Sequence, residues 1–502
     1  MIKAVESAAP SREERLKAGI AFCGTCAKLQ NSLNQKDGGC LNAANRSFSQ
    51  TYGCQFTLSL GILNTIRNAV VIMHGPIGCG FCSTANVGMG KAYKQLRDPS
   101  ASGLVWLSSN LDETDVISGG EKKLKEVIFY ADKEFRPETI IVASSCVPAL
   151  IGDDIDSILD DLQNQVTAEL VPVVCEGFKT KLMATAYDAV YNGILKKLTK
   201  YPNREEHLTE TDLEKQEREY QIKRTVNVFN VGSMSRADEL EIERLLTALD
   251  LNVNFLPCYS ASEDFSYALE AALNVSICGT HDDYYLKYIN ENFHIPYLID
   301  TIPIGRKNTD RWILKIAERF GLEKEAQALI KKENEILEES LVPFRNNLRG
   351  KRVFVSGGEV RIIATAEVVQ DLQMELVGLK GHHIDQFVKP VFESLKDVDD
   401  IYINIATQHP FEQVNIVNRL KPDVIIIHTG SGNITAKHGL PVFPLYGPSY
   451  NYLGYSGTYE IARRLNRIMK NSQFNKNLSK YRALPYKKEW YEKEPFAYIK
   501  EK

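Results

Sequence analysis

Three cysteines in the first third of the sequence lie where metal or iron–sulfur ligands are expected. Cys79 lies on a turn rich in Gly and Pro directly after the apolar run 70–73, Cys146 ends the run 139–146, and Cys54 follows Gly53 upstream. Such β-branched runs predict buried parallel strands, whose carboxyl ends meet at the edge where α/β proteins bind ligands. Thiolate sulfur is a soft ligand that suits iron in sulfide clusters. The pattern therefore predicts a shared metal or iron–sulfur site, with buried structural cysteines as the alternative.

Other cysteines are also concentrated near the start of the chain. Six of the ten precede residue 83, and Cys23, Cys26 and Cys40 fall in a polar stretch of weak periodicity. A CxxC pair with a third cysteine can hold zinc or a cluster, but no fourth ligand is evident. These thiols form a separate site, line the approach to the Cys54 site, or are simply buried.

Composition limits the class of protein. The chain has 502 residues, enough for two to four domains, and its 44% hydrophobic and 25% charged residues are ordinary for a globular protein. A net charge of −4 gives no electrostatic reason to expect nucleic acid. No apolar run approaches the ~20 residues that a membrane span needs, and the first residues lack a signal-peptide core. We expect a cytoplasmic protein that binds neither nucleic acid nor membrane.

Strand-like and helix-like runs alternate along most of the chain, which predicts an α/β fold with parallel sheets covered by helices. We expect three Rossmann-like parallel-sheet domains at 51–222, 223–348 and 349–445. A cysteine-containing segment, 1–50, precedes them, and a segment that wraps back onto another surface, 446–502, follows. The sequence has no GxxxxGK[ST] loop, so any ATP that drives its chemistry must be hydrolysed by a partner.

Several further side chains follow predicted strands and are candidates to face a ligand. They are Cys278 after 273–277, Gly357 and Gly358 after 353–355, and His382 and His383 after 375–379. Adjacent histidines on a regular element cannot both face one point, so a hydrogen-bonded turn pair is the alternative for these two.

One acidic pair follows the strand of Cys146. Asp153 and Asp154 precede an apolar periodic stretch, and we expect them to cap the next helix rather than bind metal.

Taken together, these motifs resemble nitrogenase component 1, specifically its α-type subunit. The matching stretches run, in order, through residues 52–54, 74–80, 119–124, 145–148, 151–155 and 175–178. In that family the cysteines matching Cys54, Cys79 and Cys146 ligate a cluster shared with a β-type subunit. The resemblance implies a P-cluster-like [8Fe-7S] or [4Fe-4S] cluster, an α2β2 heterotetramer, and an ATP-hydrolysing homodimeric [4Fe-4S] reductase that delivers electrons.

The resemblance also implies a second, complex iron–sulfur cofactor in a cavity among the three domains. Cys278 matches its single cysteine ligand, and Gly357, Gly358 and Tyr446 fall at cofactor-binding positions. True nitrogenases carry a histidine ligand near the position of Tyr446, a glutamine and a histidine after 175–178, and an arginine after the second cluster cysteine. None is matched here, where 179–185 and 84–87 occupy those spans. Dinitrogen reduction is therefore not expected.

This chain keeps the cluster cysteines but lacks the cofactor residues of true nitrogenases. In this it resembles the nitrogenase-like reductases, among which methylthio-alkane reductase matches best. Such enzymes cleave C–S bonds of small sulfides, releasing methanethiol and a hydrocarbon. Met183 and Thr185, in place of charged groups, would suit an apolar thioether. His281, His382 and His383 are candidates for a proton donor or the second cofactor ligand, each with a structural alternative.

Two other functions are possible for the same fold. A scaffold on which a cluster precursor matures would also lack the histidine ligand, because it must release its cofactor. A tetrapyrrole-reducing relative would need only a simple cluster, but Cys278 and the chain length argue against it.

Overall fold

The computed structural model describes residues 3–34, 44–46, 53–81, 92, 94–99, 105–201, 210–407, 409–428, 437–447 and 449–501. Within these, the chain forms two compact units. Unit 1 comprises Met1–Arg12, Gly53–Arg236 and Asp250–Ile299, and unit 2 comprises Glu13–Tyr52, Ala237–Leu249 and Asp300–Lys502. Among the described residues, no helix is both long enough and apolar enough to cross a bilayer.

The strands are short and mostly parallel. They are β1 (Ala21–Thr25), β2 (Ala44–Arg46), β3 (Ala69–His74), β4 (Val105–Ser108), β5 (Thr139–Ser144), β6 (Glu169–Val174), β7 (Thr225–Asn230), β8 (Asn252–Pro257), β9 (Leu273–Ser276), β10 (Tyr297–Leu298), β11 (Arg352–Gly357), β12 (Glu375–Gly381), β13 (Tyr402–Ala406), β14 (Val424–Ile427), β15 (Val442–Pro444) and β16 (Ile499–Glu501).

The described α-helices alternate with the strands. They are α1 (Arg12–Leu16), α2 (Cys26–Leu33), α3 (Gln55–Leu63), α4 (Ile77–Phe81), α5 (Glu113–Ser118), α6 (Glu121–Phe135), α7 (Cys146–Ile151), α8 (Ile155–Leu162), α9 (Thr185–Lys197), α10 (Asp212–Lys223), α11 (Arg236–Thr247), α12 (Gly279–Phe293), α13 (Arg306–Phe320), α14 (Glu323–Leu348), α15 (Glu359–Asp371), α16 (Lys389–Phe392), α17 (Pro410–Leu420), α18 (Gly454–Lys470), α19 (Ser472–Lys480) and α20 (Lys488–Glu492).

Unit 1 contains two four-stranded parallel sheets, with strand orders β4-β3-β5-β6 and β10-β9-β7-β8. Unit 2 contains a six-stranded sheet of order β1-β13-β12-β11-β14-β15, in which only β1 is antiparallel to its neighbour. A small antiparallel pair joins β2 to β16. The predicted α/β fold with parallel sheets is thus confirmed.

The first sheet of unit 1 is buried on both faces because its strands are continuous apolar runs. Alternate residues point to opposite sides, so Val70 and Ile72 pack with Leu124 and Ile128 of α6. Val71 instead joins a second cluster that includes residues of α3 and α9. Leu124, Ile128 and Ala131 are the buried residues of α6 and recur at helical spacing, which is why this charged helix docks on one face.

Predicted strand positions agree with the structure to within one or two residues, except at the N-terminal segment. Residues 21–25 form β1, which pairs with β13 and places Cys23 opposite Asn404 in the register. Neither strand was predicted from the sequence. The predicted domain boundaries stay a prediction.

A buried ion pair fastens the N-terminal segment within unit 1. Arg12 is fully buried, and its Nη2 and Nε lie 2.8 and 3.2 Å from the two carboxylate oxygens of Asp188 on α9. Asp283 on α12 lies 3.6 Å from the same Nη2. One guanidinium therefore links the chain start to two helices, and a buried charge pair of this kind is costly to break from one side.

Replacing this arginine tests the anchor. Arg12→Met should lower the free energy of unfolding by about 3–5 kcal/mol, because Asp188 is left buried without its cation. Arg12→Met with Asp188→Leu should recover at least half of that loss. Chemical denaturation measures both variants.

The matched control is Lys3→Met, which breaks an exposed pair with Glu291 at 3.6 Å and should cost less than about 1 kcal/mol. Equal effects of Arg12→Met and Lys3→Met would contradict the anchoring role.

Candidate functional site

The predicted ligand cysteines follow strands that border a reversal of strand order. In the first sheet the chain passes from β3 to β4 on one side and then places β5 on the other side of β3. The connections leaving β3 and β5 therefore diverge, and a crevice opens at their carboxyl ends, which is where open α/β sheets bind ligands. Cys79 follows β3, and Cys146 follows β5.

The local structure presents these thiols at the ends of short elements. Cys54 is the N-cap residue of α3, Cys146 is the first residue of α7, and Cys79 lies within α4. All three are partly exposed and not in disulfides. Cys54 and Cys146 thus both lie at the N-terminal end of a helix.

Gly177 brings two of the thiols to one place. A Cβ at Gly177 would lie 3.0 Å from Cys54 Sγ and 3.6 Å from Cys146 Sγ, so both sulfurs border the same small space. The Gln55 side chain donates to the carbonyl of Glu176 at 2.6 Å and fastens α3 to this turn. Cys79 packs, like Cys54, against the cluster shared with α3 and α9.

A fourth thiol, Cys175, lies beside this space. The sequence motif 175–178 contains it, but no site role was predicted for it. It is fully buried and its Sγ lies 3.5 Å from the carbonyl of Ser144. Burial raises its pKa above the ordinary cysteine value, with smaller contributions from Glu176, Cys54 and Cys146. A neutral, buried thiol that donates to a carbonyl is structural.

Three of the sequence motifs, 74–80, 119–124 and 151–155, meet in one hydrogen-bond network around His74. Its Nδ1 lies 2.9 Å from Ser109 Oγ, and its Nε2 lies 3.1 Å from Asp153 Oδ2. Asp153 also accepts from the backbone N–H of Gly120, and Ser109 Oγ accepts from that of Gly75 at 3.0 Å. The network holds the turn that carries Cys79 against the neighbouring connections.

The two acidic residues after Cys146 have different roles. Asp154 is the N-cap of α8 and accepts from the backbone N–H of Ser157, as predicted. The expected capping role of Asp153 is wrong, because its carboxylate is drawn to His74 and Gly120 instead. A lone sequence shows a carboxylate before a helix but not the imidazole brought to it by another strand.

The second sheet of unit 1 has the same arrangement. The chain passes from β7 to β8 and then places β9 on the other side of β7, and Cys278 follows β9 as the N-cap of α12. Cys278 is 2% exposed, and its backbone N–H donates to Ser276 Oγ at 3.1 Å. Cys278 therefore lies at the reversal between β7 and β9.

A buried carboxylate supports this turn. Ser276 Oγ lies 2.5 Å from Asp282 Oδ2, and Tyr191 donates to Asp282 Oδ1 at 2.6 Å. Burial raises the pKa of Asp282 to about 7, while the hydrogen bonds from Ser276 and Tyr191 oppose that rise. These contacts hold the backbone of Cys278 in place.

His281 lies one turn into α12. Its ring packs on Tyr187 with centroids 4.2 Å apart, and its backbone N–H donates to the carbonyl of Cys278 at 2.7 Å. It is thus close to Cys278 in the chain and buried, and its predicted role stays a prediction. Thr185 is also buried, and its hydroxyl lies 3.1 Å from that of Thr180.

In unit 2 the reversal lies between β11 and β14. The chain runs from β11 outward through β12 and β13 and then returns to the other side of β11. Gly357 ends β11 and His428 follows β14, and a Cβ at Gly357 would lie 2.4 Å from His428 Cγ. Only glycine lets the imidazole pack this closely. Gly358 is the N-cap of α15.

Tyr446 lies in an aromatic group with His428 and Tyr452. Its ring centroid is 6.4 Å from that of His428 and 5.4 Å from that of Tyr452. Its assignment to cofactor binding, like those of Gly357 and Gly358, stays a prediction.

The adjacent histidines have different surroundings, as the spacing requires. His383 Nε2 lies 3.1 Å from Glu359 Oε1 and 3.5 Å from Asp385 Oδ2. Burial lowers the pKa of His382 to about 3, with smaller contributions from Lys380 and His383. A neutral imidazole of that kind is a poor proton donor at neutral pH, although it remains able to ligate a metal.

Part of the predicted set lies outside the described residues. Cys40, Cys82 and the span 84–87 are not described, nor is the side chain of Cys23. Cys26 is buried at the start of α2, and burial, aided by Asp399, raises its pKa to about 12. Its thiol is thus neutral as it stands, which agrees with the structural alternative.

The sequence matches the model of a known protein family over most of its length. The model of the nitrogenase component 1 type oxidoreductases matches residues 54–470. The chain belongs to this family. The match includes all four predicted ligand cysteines.

Individual relatives within the family are distant. The nitrogenase iron-molybdenum cofactor biosynthesis protein NifE of Nostoc sp. is 27% identical over 420 residues, covering 82% of each chain. The nitrogenase molybdenum-iron protein alpha chain of Methanosarcina barkeri is 24% identical over 476 residues, covering 83% of this chain and 85% of that one. The solved structure "Nitrogenase Cp1 at pH 5" is 20% identical, covers 88% and 93% of the two chains, and has a TM-score of 0.69, which shows the same fold.

The buried histidines of unit 2 predict a loss of stability in acid. Burial lowers the pKa of His428 well below its ordinary value, with Arg361 and His382 acting in the same direction. The unfolded chain binds protons below about pH 6.5 and the folded chain does not, so stability falls as the pH drops. His428→Gln should reduce the loss between about pH 6.5 and pH 5 by about 1–2 kcal/mol.

Denaturant unfolding across this pH range measures the effect. The control is His294→Asn, which changes an exposed histidine at the end of α12 to a residue that tolerates the same backbone. An unchanged acid slope in His428→Gln would contradict the burial argument.

Proposed function

We propose that the chain is the catalytic α-type subunit of a nitrogenase-like reductase that cleaves C–S bonds of small methylthio-alkanes. The observation that carries the proposal is that Cys79, Cys146 and Cys278 all follow strands that border a reversal of strand order. Cysteines after such strands support the proposal because α/β folds bind ligands at these reversals.

The residues around the first crevice suit an iron–sulfur cluster shared with a second chain. Cys54 and Cys146 share the space beside Gly177, and Cys79 lies on the connection from the adjacent strand. Large apolar side chains near these thiols are exposed: Ile77, two residues before Cys79, is 58% exposed, Leu150, after Cys146, 72%, and Phe178, after Gly177, 54%. Exposed apolar groups beside partly exposed thiols are typical of a surface covered by a partner. We assign that partner as the β-type subunit.

The surroundings of Cys278 suit a ligand of a deeply placed cofactor. Cys278 is buried, and its backbone is fixed by the Ser276–Asp282 contacts. A complex iron–sulfur cofactor on this thiolate would bind the sulfide substrate and supply the electrons that reach it from the shared cluster. His281, packed on Tyr187, is our candidate to hold a proton near this position.

The proposed reaction is balanced by two electrons and two protons. In ethyl methyl sulfide the bond from sulfur to the ethyl carbon breaks, the sulfur leaves as methanethiol, and the ethyl group leaves as ethane. Electrons come one at a time from a separate ATP-hydrolysing iron–sulfur reductase. Because Thr185 turns its hydroxyl to Thr180, it does not present an unsatisfied polar group to an apolar substrate.

The second candidate is a scaffold on which a cofactor precursor is assembled and released. The observation that favours it is the similarity to NifE proteins, whose name assigns them to cofactor biosynthesis, at 27% identity in Nostoc sp. and 26% in Rippkaea orientalis. A scaffold would use Cys278 without turning substrate over.

Loss of one thiolate tests the shared cluster. Cys79→Ala should strip most of the iron from that cluster and weaken copurification of the β-type subunit, because a cluster spanning two chains couples assembly to metal binding. Iron analysis and size-exclusion chromatography of the anaerobically purified complex measure both effects.

Cys258→Ala is the matched control, because Cys258 is a buried cysteine that follows β8 in the other sheet of unit 1, not the sheet whose strands precede Cys79 and Cys146. It should leave iron and pairing unchanged. Normal iron content in Cys79→Ala would contradict the shared-cluster assignment.

Turnover separates the two candidate functions. The purified complex, supplied with the reductase, ATP and ethyl methyl sulfide, should release methanethiol and ethane in equal amounts, detected by gas chromatography. Cys278→Ala should abolish this release while the iron of the shared cluster remains. Absence of methanethiol, together with transfer of a cluster to an acceptor protein, would favour the scaffold instead.

A further inference from the structure

A second type of candidate metal site lies in unit 2 and uses no cysteine. Glu359, His383 and Asp385 are all buried, and one ligand atom from each lies within 4.8 Å of the others. His383 Nε2 is 3.1 Å from Glu359 Oε1 and 3.5 Å from Asp385 Oδ2. Two ligands at ~2.1 Å from one ion lie ~3.0–3.4 Å apart in octahedral or tetrahedral geometry. The two separations from His383 are within about 0.1 Å of this range, and the third pair lies within 4.8 Å, so the atoms are close enough to surround a single cation.

The three side chains come together because two neighbouring strands end side by side. β11 and β12 are parallel, with Gly357 opposite Gly381 in the register. Glu359 begins the helix after β11, and His383 and Asp385 follow β12. The three side chains thus lie at the carboxyl edge of the sheet, where α/β folds bind ligands.

Gly381 lies beside this arrangement. A Cβ there would lie 3.0 Å from Ile405 Cδ1 and 3.4 Å from both Glu359 Cβ and the carbonyl oxygen of His383. Asp385 is fixed by its backbone role: its Oδ1 accepts from the N–H of Phe387, which leaves Oδ2 directed toward His383. The donor atoms are thereby held in place before any ion arrives.

Charge also favours a divalent cation. Glu359 is 1% exposed and Asp385 3%, and a cation between two buried carboxylates is attracted to both. A divalent ion carries two positive charges, which match the two carboxylates, and a neutral imidazole can complete its ligand set. Two oxygen donors with one imidazole nitrogen suit Mn²⁺ or Fe²⁺, with water in the remaining positions.

We propose that Glu359, His383 and Asp385 bind one divalent cation of the Mn²⁺ or Fe²⁺ type, separate from the iron–sulfur clusters held by cysteine. The ion joins the connections after β11 and β12 and fixes the start of α15. Its binding does not depend on the function proposed above, since no cysteine and no substrate takes part.

Manganese titration tests this site. The complex, purified without oxygen, treated with EDTA and desalted, receives one equivalent of Mn²⁺ per chain. Electron paramagnetic resonance at room temperature then reports the six-line signal of free Mn²⁺. We expect the native protein to suppress most of that signal, and an excess of Zn²⁺ to restore it.

Two near-isosteric variants and one control locate the binding. Glu359→Gln and Asp385→Asn should each weaken Mn²⁺ binding at least tenfold, and asparagine preserves the contact to the N–H of Phe387. His438→Gln should bind like the native protein, because His438 is a buried histidine of the same unit whose charged neighbour is Arg482. Thermal melting without metal confirms that each variant is folded.

Two results would overturn the proposal. One is a free-Mn²⁺ signal that native protein does not reduce; the other is Mn²⁺ binding by Glu359→Gln and Asp385→Asn as tight as that of the native chain. Iron and sulfide are measured on the same samples. Normal Mn²⁺ binding with no cysteine-bound iron would contradict only the proposed reductase function. Normal cysteine-bound iron with no Mn²⁺ binding would contradict only this cation site.

Discussion

Each of the three main sheets contains one reversal of strand order, and the candidate chemistry of this chain depends on it. The reversals lie between β3 and β5, between β7 and β9, and between β11 and β14. At each, neighbouring connections leave in opposite directions, and open α/β sheets bind ligands at such points. Cys79 and Cys146 follow the two strands of the first reversal, Cys278 follows a strand of the second, and His428 packs against Gly357 at the third.

Buried polar contacts make these crevices rigid. Around the first, His74 binds both Ser109 and Asp153, and Asp153 holds the start of α6 through Gly120. Around the second, Asp282 holds Ser276 and thereby the backbone of Cys278. Such largely buried networks specify one arrangement of their members. A residue that ligates a metal cluster needs a rigid backbone, because metal–ligand distances tolerate little change.

Sequence reasoning predicted most strands and the cysteines that follow them but did not reach the contacts that hold these turns. The apolar runs of β3 and β5 are strong signals because both faces of these strands are buried. β1 and β13 were missed. Asp153 was read as a helix cap, and its real partner is an imidazole 79 residues away. The group of Glu359, His383 and Asp385 was equally hidden, because it joins two connections that the chain visits separately.

By itself, the sequence determined the α/β class, the positions of the main strands and the thiols that end them, because hydrophobic periodicity and Gly-rich turns are local properties. It also carried the motifs that identify the nitrogenase component 1 family. Only the tertiary structure decided the order of the strands, and with it which of the cysteines and histidines share a crevice. Strand order depends on how whole elements pack against each other. No local pattern records that β5 lies beside β3, or that Gly177 lies against Cys54.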